Sequence, residues 1–206
     1  MRTPRFPRLV VATRNMGKLV ELADGLAGFA PPIVLSPLSD WSGAREVDET
    51  GDTCRENARL KAVSALEATG LPSLADDTAL EVDALGGAPG VHSARYAGPD
   101  GDARANMTKL LEALEGVPPA RRTARFRCVL ALAEPGGDVS FTEGVVEGHI
   151  LAERRGSAGF GYDPLFRVDG LDRTMAELTT AEKSLVSHRG RALAALRTLL
   201  QRAEAG

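Results

Sequence analysis

The chain has 206 residues, of which 43% are hydrophobic and 26% are charged, and its net charge is −3 at pH 7. This composition is typical of a globular protein of one domain and excludes a disordered chain, a collagen-like fibre and a coiled coil. The sequence contains no run of about 18 consecutive apolar residues, so no membrane-spanning segment is predicted. Only 4% of the residues are aromatic, and there is no basic excess, which argues against a nucleic-acid-binding module.

Two further features indicate a cytoplasmic protein. Residues 1–8 are basic and interrupted by proline, and they lack the apolar centre of a signal peptide. Cys54 and Cys128 both lie in patterned segments, which is typical of reduced, buried thiols rather than of a disulfide.

The first half of the chain alternates predicted strands with predicted helices. The apolar run at residues 9–12 predicts a buried strand, and leucines at helical spacing predict a helix that begins near Lys18. Thr53 and Glu56 match a capping box, which predicts the start of the next helix. The other segments expected in this half are a short strand around residues 33–35, a short strand at 73–75, a half-exposed strand at 80–83 and a long turn at 86–90.

A long hairpin distinguishes the second half. Residues 124–133 alternate with period two, and the turn at 135–138 connects this strand to a partner at 139–150. The elements expected around the hairpin are a helix near 107–114, a glycine-rich loop at 154–164, a short strand at 165–168, a helix opened by a capping box at 179–182 and a last helix near 193–200. Because the hairpin interrupts the alternation of strands and helices, a mixed-sheet α/β fold is predicted.

The first candidate for chemistry is Thr13-x-Asn15-x-x-Lys18, between a strand and a helix. The start of a helix offers unpaired amides and a partial positive charge, to which Lys18 adds a full one, and both suit a phosphate. The glycines of a Walker A loop are absent. The alternative is an ordinary turn with a solvent-facing lysine.

The second candidate combines Glu49 with Asp76 and Asp77. Adjacent carboxylates after an apolar strand are costly unless they are neutralised, and Mg²⁺ would neutralise them. Because side chains alternate along a strand, only one of the two aspartates is expected to meet the ion. The alternative is that both carboxylates cap a turn.

Two more candidates lie near the C-terminus. Residues 156–164 combine glycines with Phe160 and Tyr162, which suits a close approach to a ligand and stacking on a base. Lys183 and residues 187–189 bring together donors that suit a purine edge or phosphates. The alternatives are a loop anchored in the core by one aromatic, and an ordinary helix surface with a cap.

In their order along the chain, these motifs closely resemble the Ham1-like family of non-canonical purine nucleoside triphosphate pyrophosphatases. The matching stretches are residues 10–18, 49–58, 75–78, 85–91, 93–98, 159–164, 181–183 and 187–190. The resemblance implies one Ham1-like domain over residues 1–206. Its expected fold is an elongated, two-lobed α/β fold with a central mixed β-sheet flanked by helices and an active-site cleft between the lobes.

The family's activity is hydrolysis of dITP, ITP or XTP to the monophosphate and pyrophosphate, which removes these nucleotides before they enter DNA or RNA. The resemblance also implies a homodimer and a Mg²⁺ cofactor. It assigns the metal to Glu49 and Asp77 and makes Asp77 the proton acceptor. The implied substrate-binding residues are Thr13, Arg14, Asn15, Met16, Gly17, Lys18, Thr78, Phe160, Gly161, Tyr162, Asp163, Lys183, His188 and Arg189.

Selection of the base follows from hydrogen bonding. Hypoxanthine and xanthine carry a 6-oxo acceptor where adenine carries an amino donor, so a donor in the pocket favours the former. Two rivals to this function are a Maf-like pyrophosphatase acting on pyrimidine nucleotides and a nucleotide-binding sensor without hydrolysis. Thr13-x-Asn15-x-x-Lys18 argues against the first, and the presence of Lys18, Glu49 and Asp77 argues against the second.

Overall fold

A computed structural model describes residues 6–13, 15–44 and 47–205. It contains two compact units. Unit 1 takes its described residues from Met1–Asp77, Cys128–Gly144 and Arg189–Gly206, and unit 2 takes them from Thr78–Arg127 and Val145–His188. Two units agree with the expected two lobes, whereas the elongated shape, the cleft and the single domain stay predictions.

Helices and strands alternate along the described residues. The α-helices are α1 (Met16–Gly25), α2 (Cys54–Thr69), α3 (Ala103–Ala113), α4 (Thr180–Val186) and α5 (His188–Ala205). The strands are β1 (Arg8–Val11), β2 (Val34–Pro37), β3 (Ser73–Val82), β4 (Pro89–Gly90), β5 (Thr123–Ala133), β6 (Val139–Ile150) and β7 (Phe166–Val168). No helix in these ranges is both long enough and apolar enough to span a membrane.

The strands form one mixed sheet. Its order is β2-β1-β3-β5-β6-β7, with β4 paired to β3. Strand β1 runs parallel to both β2 and β3, whereas β4 is antiparallel to β3 and β7 is antiparallel to β6. Helices accompany this sheet, so the predicted mixed-sheet α/β class is confirmed.

Strand β3 differs from the sequence prediction. Two short strands were expected at 73–75 and 80–83, but one strand of ten residues runs from Ser73 to Val82. Asp76 and Asp77 therefore lie in its middle. Nearly all of its residues are buried, so the expected exposed face is wrong, and the predicted turn at 86–90 contributes the short pairing strand β4.

Local capping signals predicted the helix starts well. Thr53 and Glu56 form the reciprocal capping box of α2, and Thr179 and Glu182 form that of α4. Helix α1 begins at Met16, two residues before the predicted start, because Asn15 caps it. These contacts are formed within four residues, which is why the sequence alone was sufficient to find them.

Each unit has its own apolar core. In unit 1, leucines of β1, α1 and β3 pack with Leu130 of β5 and Leu196 of α5. In unit 2, Leu80 and Leu110 pack with Phe126, Tyr162 and Phe166. Neither cysteine forms a disulfide and both are buried, as the sequence predicted.

We expect Leu110→Ala to destabilise the protein by about 2–5 kcal/mol, because the Leu110 side chain is 0% exposed and its removal leaves a cavity. The matched control is Leu185→Ala on α4, where the leucine is 80% exposed and the expected change is within about 0.5 kcal/mol. Urea unfolding of both variants measures the difference. Equal losses would show that unit 2 is not organised around this core.

Candidate active site

The turn between β1 and α1 is ordered by its own side chains. The Asn15 side-chain oxygen accepts a hydrogen bond from the Lys18 amide at 3.1 Å, and the Thr13 hydroxyl accepts one from the Asn15 amide at 3.2 Å. Asn15 thereby serves as the N-cap of α1, while Met16 at the first helical position is exposed. Gly17 lies in the same first turn, and the predicted site residue Arg14 lies outside the described residues.

Asp76 is the centre of a buried ion network in unit 1. One of its oxygens, Oδ2, lies 3.1 Å from Lys18 Nζ and 2.9 Å from Arg189 Nη2. Arg189 also donates to Glu21 at 2.5 Å, and its side chain is almost fully buried. Burial would raise the pKa of Asp76, but Lys18, Arg189 and Lys61 outweigh it and hold that pKa well below its ordinary value.

Asp77 belongs to a second ion network, in which Lys61 lies between two carboxylates. Lys61 Nζ is 2.8 Å from Glu49 Oε1 and 2.9 Å from Asp77 Oδ1. The other Asp77 oxygen, Oδ2, is buried and makes no hydrogen bond with the described residues. Burial raises the pKa of Asp77 although Lys61 acts in the opposite direction.

Lys61 is charged despite its burial. Desolvation is the largest effect on its pKa and lowers it, but the carboxylates of Asp77, Asp76 and Glu49 together raise the pKa above its ordinary value. Asp76 and Asp77 thus contact different lysines, as expected from successive residues of one strand.

The carboxylates of the second ion network, Glu49 and Asp77, fit a magnesium ion. In the described part of the chain, no group of three or more histidine, cysteine, aspartate and glutamate side chains is arranged to hold a metal. Mg²⁺ needs only one or two carboxylates when waters and phosphate oxygens complete its shell. Glu49 and Asp77 each direct an oxygen at Lys61, so both carboxylates can converge on one cation. Asp77 Oδ2 is a buried acceptor to which none of the described residues donates a hydrogen bond.

In unit 2, Phe160, Asp163 and Lys183 form a compact group, here called the loop cluster. Lys183 Nζ donates to Asp163 Oδ2 at 2.8 Å and lies 4.7 Å from the centre of the Phe160 ring. The Phe160 amide donates to the same Asp163 oxygen at 2.9 Å. Gly159 adopts φ +75°, and a Cβ there would overlap Asp163, so this turn requires glycine.

The remaining predicted residues have varied surroundings. The buried Tyr162 donates its hydroxyl to the Ser93 carbonyl at 2.9 Å, and burial raises its pKa, so this ring anchors the loop. Gly161 has a positive φ, and the ring of His188 stacks on Phe126 with centroids 4.8 Å apart. Thr78 directly follows Asp77 in β3 and is partly exposed.

The sequence analysis missed two charged residues, Lys61 and Glu21. Lys61 lies on α2 with Ala58, Ala62 and Ala65 as buried neighbours. The sequence did contain a signal for Lys61. It lies three residues after Ala58 and directly before Ala62, on an apolar helix face, and a charge buried there must find a partner. Glu21 lies on α1 and gave no comparable signal; only its contact with Arg189 reveals it.

We expect Asp76→Asn to cost about 3–5 kcal/mol of stability at neutral pH, because it removes the carboxylate that Arg189 and Lys18 share and leaves the buried guanidinium only partly paired, through Glu21. The control Asp169→Asn removes a half-exposed partner of His149 and should cost less than about 1 kcal/mol. Denaturant unfolding measures both.

The pH dependence of the Asp76→Asn effect follows from the lowered pKa. Its carboxylate stabilises the fold fully above the ordinary value of 3.8 and loses this contribution as the pH falls towards the lower pKa of the folded state. The difference between wild type and variant should therefore be constant near neutral pH and shrink below about pH 4. A difference that grew on acidification would contradict the network.

The chain as a whole matches a family of known proteins. The model of the Ham1 family matches residues 9–199. A protein named dITP/XTP pyrophosphatase from Desulforamulus reducens is 51% identical over 195 residues, which are 95% of this chain and 96% of the relative. One of the same name from Geobacter sulfurreducens is 54% identical over 190 residues, covering 92% of this chain and 94% of the relative.

Solved structures agree with the sequence relatives. A HAM1 protein from Coxiella burnetii superposes with a TM-score of 0.86 at 43% identity, covering 95% of this chain and 98% of that one. The Staphylococcus aureus Ham1 protein gives a TM-score of 0.84 at 38% identity, covering 95% and 99%. By sequence over nearly its whole length and by fold, this chain belongs to the Ham1 family.

Proposed function

We propose that this protein hydrolyses non-canonical purine nucleoside triphosphates, namely dITP, ITP and XTP, to the monophosphate and pyrophosphate. Relatives about half identical over almost the whole chain are named dITP/XTP pyrophosphatase. The observation that carries the assignment is the convergence of the partly exposed Glu49 and the buried Asp77 on the buried Lys61, in the unit that also contains Lys18. Paired carboxylates and a lysine suit the binding of a metal and a polyphosphate.

The start of α1 is proposed to bind the triphosphate. Its first amides and the positive end of the helix dipole attract an anion, and Lys18 adds a full charge. Thr13 and Asn15 hold the turn in shape through their hydrogen bonds to backbone amides. Arg14, Met16 and Gly17 complete the proposed phosphate-binding turn.

Glu49 and Asp77 are proposed to hold Mg²⁺. When bound, the ion would neutralise charge that develops on the reacting phosphate. The proposed proton acceptor for the attacking water is Asp77. Because Lys61 donates to Oδ1, the oxygen left to accept a proton is Oδ2, which is buried and makes no hydrogen bond with the described residues. With Mg²⁺ bound beside it, Asp77 would be a modest base, and a water polarised by the ion would need less help to lose its proton.

The loop cluster, with Gly161, Tyr162, Thr78 and His188, is proposed to bind the nucleoside. Phe160 offers a face for stacking, and the Lys183 ammonium group is a donor for a 6-oxo acceptor. Asp163 orients Lys183 and the Phe160 amide at once. The resemblance assigns Arg189 to the base as well, but here it donates to Asp76 and Glu21, so a contact with the base requires that it leave them.

Three further properties are proposed, the homodimer on the resemblance alone and the other two also on length, cysteine content and the N-terminal sequence. They are a single domain over residues 1–206, a homodimer and a cytoplasmic location.

Purified protein with Mg²⁺ should release pyrophosphate from ITP and XTP. Its turnover of ATP should be lower by about a hundredfold or more, because adenine presents an amino donor to the donor in the pocket. GTP at the same concentration should also be a poor substrate. Removal of Mg²⁺ with a chelator is the control and should stop release. Orthophosphate as the only product, or equal rates for all bases, would contradict the proposal.

Asp77→Asn should lower turnover by about a hundredfold or more, because the amide cannot accept the proton. Nucleotide binding, measured by calorimetry, should stay largely intact. Asp169→Asn makes the same chemical change at the partner of His149 and should keep full activity. Retained turnover in Asp77→Asn would refute the role of Asp77.

A further inference from the structure

Lys61 occupies a position that a metal ion would be expected to take. It is 7% exposed, and its ammonium group lies within 2.9 Å of one oxygen from Glu49 and one from Asp77. These are the two carboxylates proposed to hold Mg²⁺. The two carboxylates thus share a cation that belongs to the chain itself.

The surrounding charges are nearly balanced as well. The connected residues of unit 1 are the carboxylates Glu21, Glu49, Asp76 and Asp77 and the cations Lys18, Lys61 and Arg189. Among these described ion pairs, four carboxylates and three cations leave a net charge of −1. A divalent ion that entered this group alone would meet the repulsion of buried cations only a few ångströms away.

We propose that Lys61 acts as a built-in counter-ion, so that the divalent metal binds together with the triphosphate and not before it. This inference rests on the proposed function. A triphosphate brings several negative charges and supplies oxygen ligands of the kind that Mg²⁺ prefers. Its arrival changes the local balance from nearly neutral to strongly negative, and the metal is then attracted despite Lys61.

Lys61 is therefore a positioning residue that also sets the order of binding. It holds the partly exposed Glu49 and the buried Asp77 converged and offsets the repulsion between their carboxylates. Removing its charge should leave an acidic pair that attracts a divalent ion even without nucleotide. A lysine that only stabilised the fold would not increase the affinity for a divalent ion when its charge is removed.

The test is a titration with Mn²⁺, in which electron paramagnetic resonance measures the unbound ion. Wild-type protein without nucleotide should bind Mn²⁺ at least about tenfold more weakly than with α,β-methylene-ITP, which cannot be cleaved to pyrophosphate. Lys61→Gln keeps a hydrogen-bond donor and removes the charge. In the absence of nucleotide it should bind Mn²⁺ at least about tenfold more tightly than wild type.

Two variants serve as controls. Lys109→Met removes an exposed lysine that bonds the Tyr96 carbonyl in unit 2, and it should leave Mn²⁺ affinity unchanged. The double variant Lys61→Gln/Glu49→Gln removes one of the carboxylates and should lose the gain. Circular dichroism checks that each variant is folded.

Tight Mn²⁺ binding by nucleotide-free wild type, or no gain in folded Lys61→Gln, would overturn the inference. If Lys61→Gln did not fold, tight Mn²⁺ binding by nucleotide-free wild type would still overturn the inference. Pyrophosphate release tests the proposed function separately. Absent release with the expected Mn²⁺ behaviour would reject the reaction, whereas normal release with tight binding to the free protein would reject only the role of Lys61.

Discussion

The pairing of buried carboxylates in β3 with cations from other elements is the interaction on which the rest of unit 1 depends. A charged aspartate in the middle of a buried strand costs several kcal/mol unless a partner neutralises it. Here Asp76 is paired with Lys18 and Arg189, and Asp77 is paired with Lys61. These pairs allow β3 to continue through residues that would otherwise end it.

The same requirement fixes the packing of three helices. Lys18 comes from α1, Lys61 from α2 and Arg189 from α5, and each must reach the neighbouring aspartates of one strand. Because side chains of a strand alternate between its two faces, the adjacent aspartates engage different partners. The outcome is a group of ion pairs in which the described carboxylates and cations nearly balance.

A second set of charges gives the loop of unit 2 its shape. Asp163 accepts from both the Phe160 amide and Lys183, so one carboxylate fixes a glycine-rich turn and a lysine on α4 together. Tyr162 is turned into the core and bonds the Ser93 carbonyl. Of the two aromatic rings in this loop, Tyr162 therefore anchors it, and Phe160 lies beside Lys183.

The sequence by itself determined the features whose causes are local or periodic: the hairpin, the capping boxes at Thr53 and Thr179, the mixed α/β class and the motifs of the Ham1 family. Only the tertiary structure decided that β3 is one strand, that Lys61 bridges Glu49 and Asp77, and that Arg189 binds Asp76. The reason is physical. A cap is satisfied within four residues, whereas Arg189 and Asp76 are 113 positions apart, and nothing in their local sequence specifies which buried charge each will meet once the helices pack.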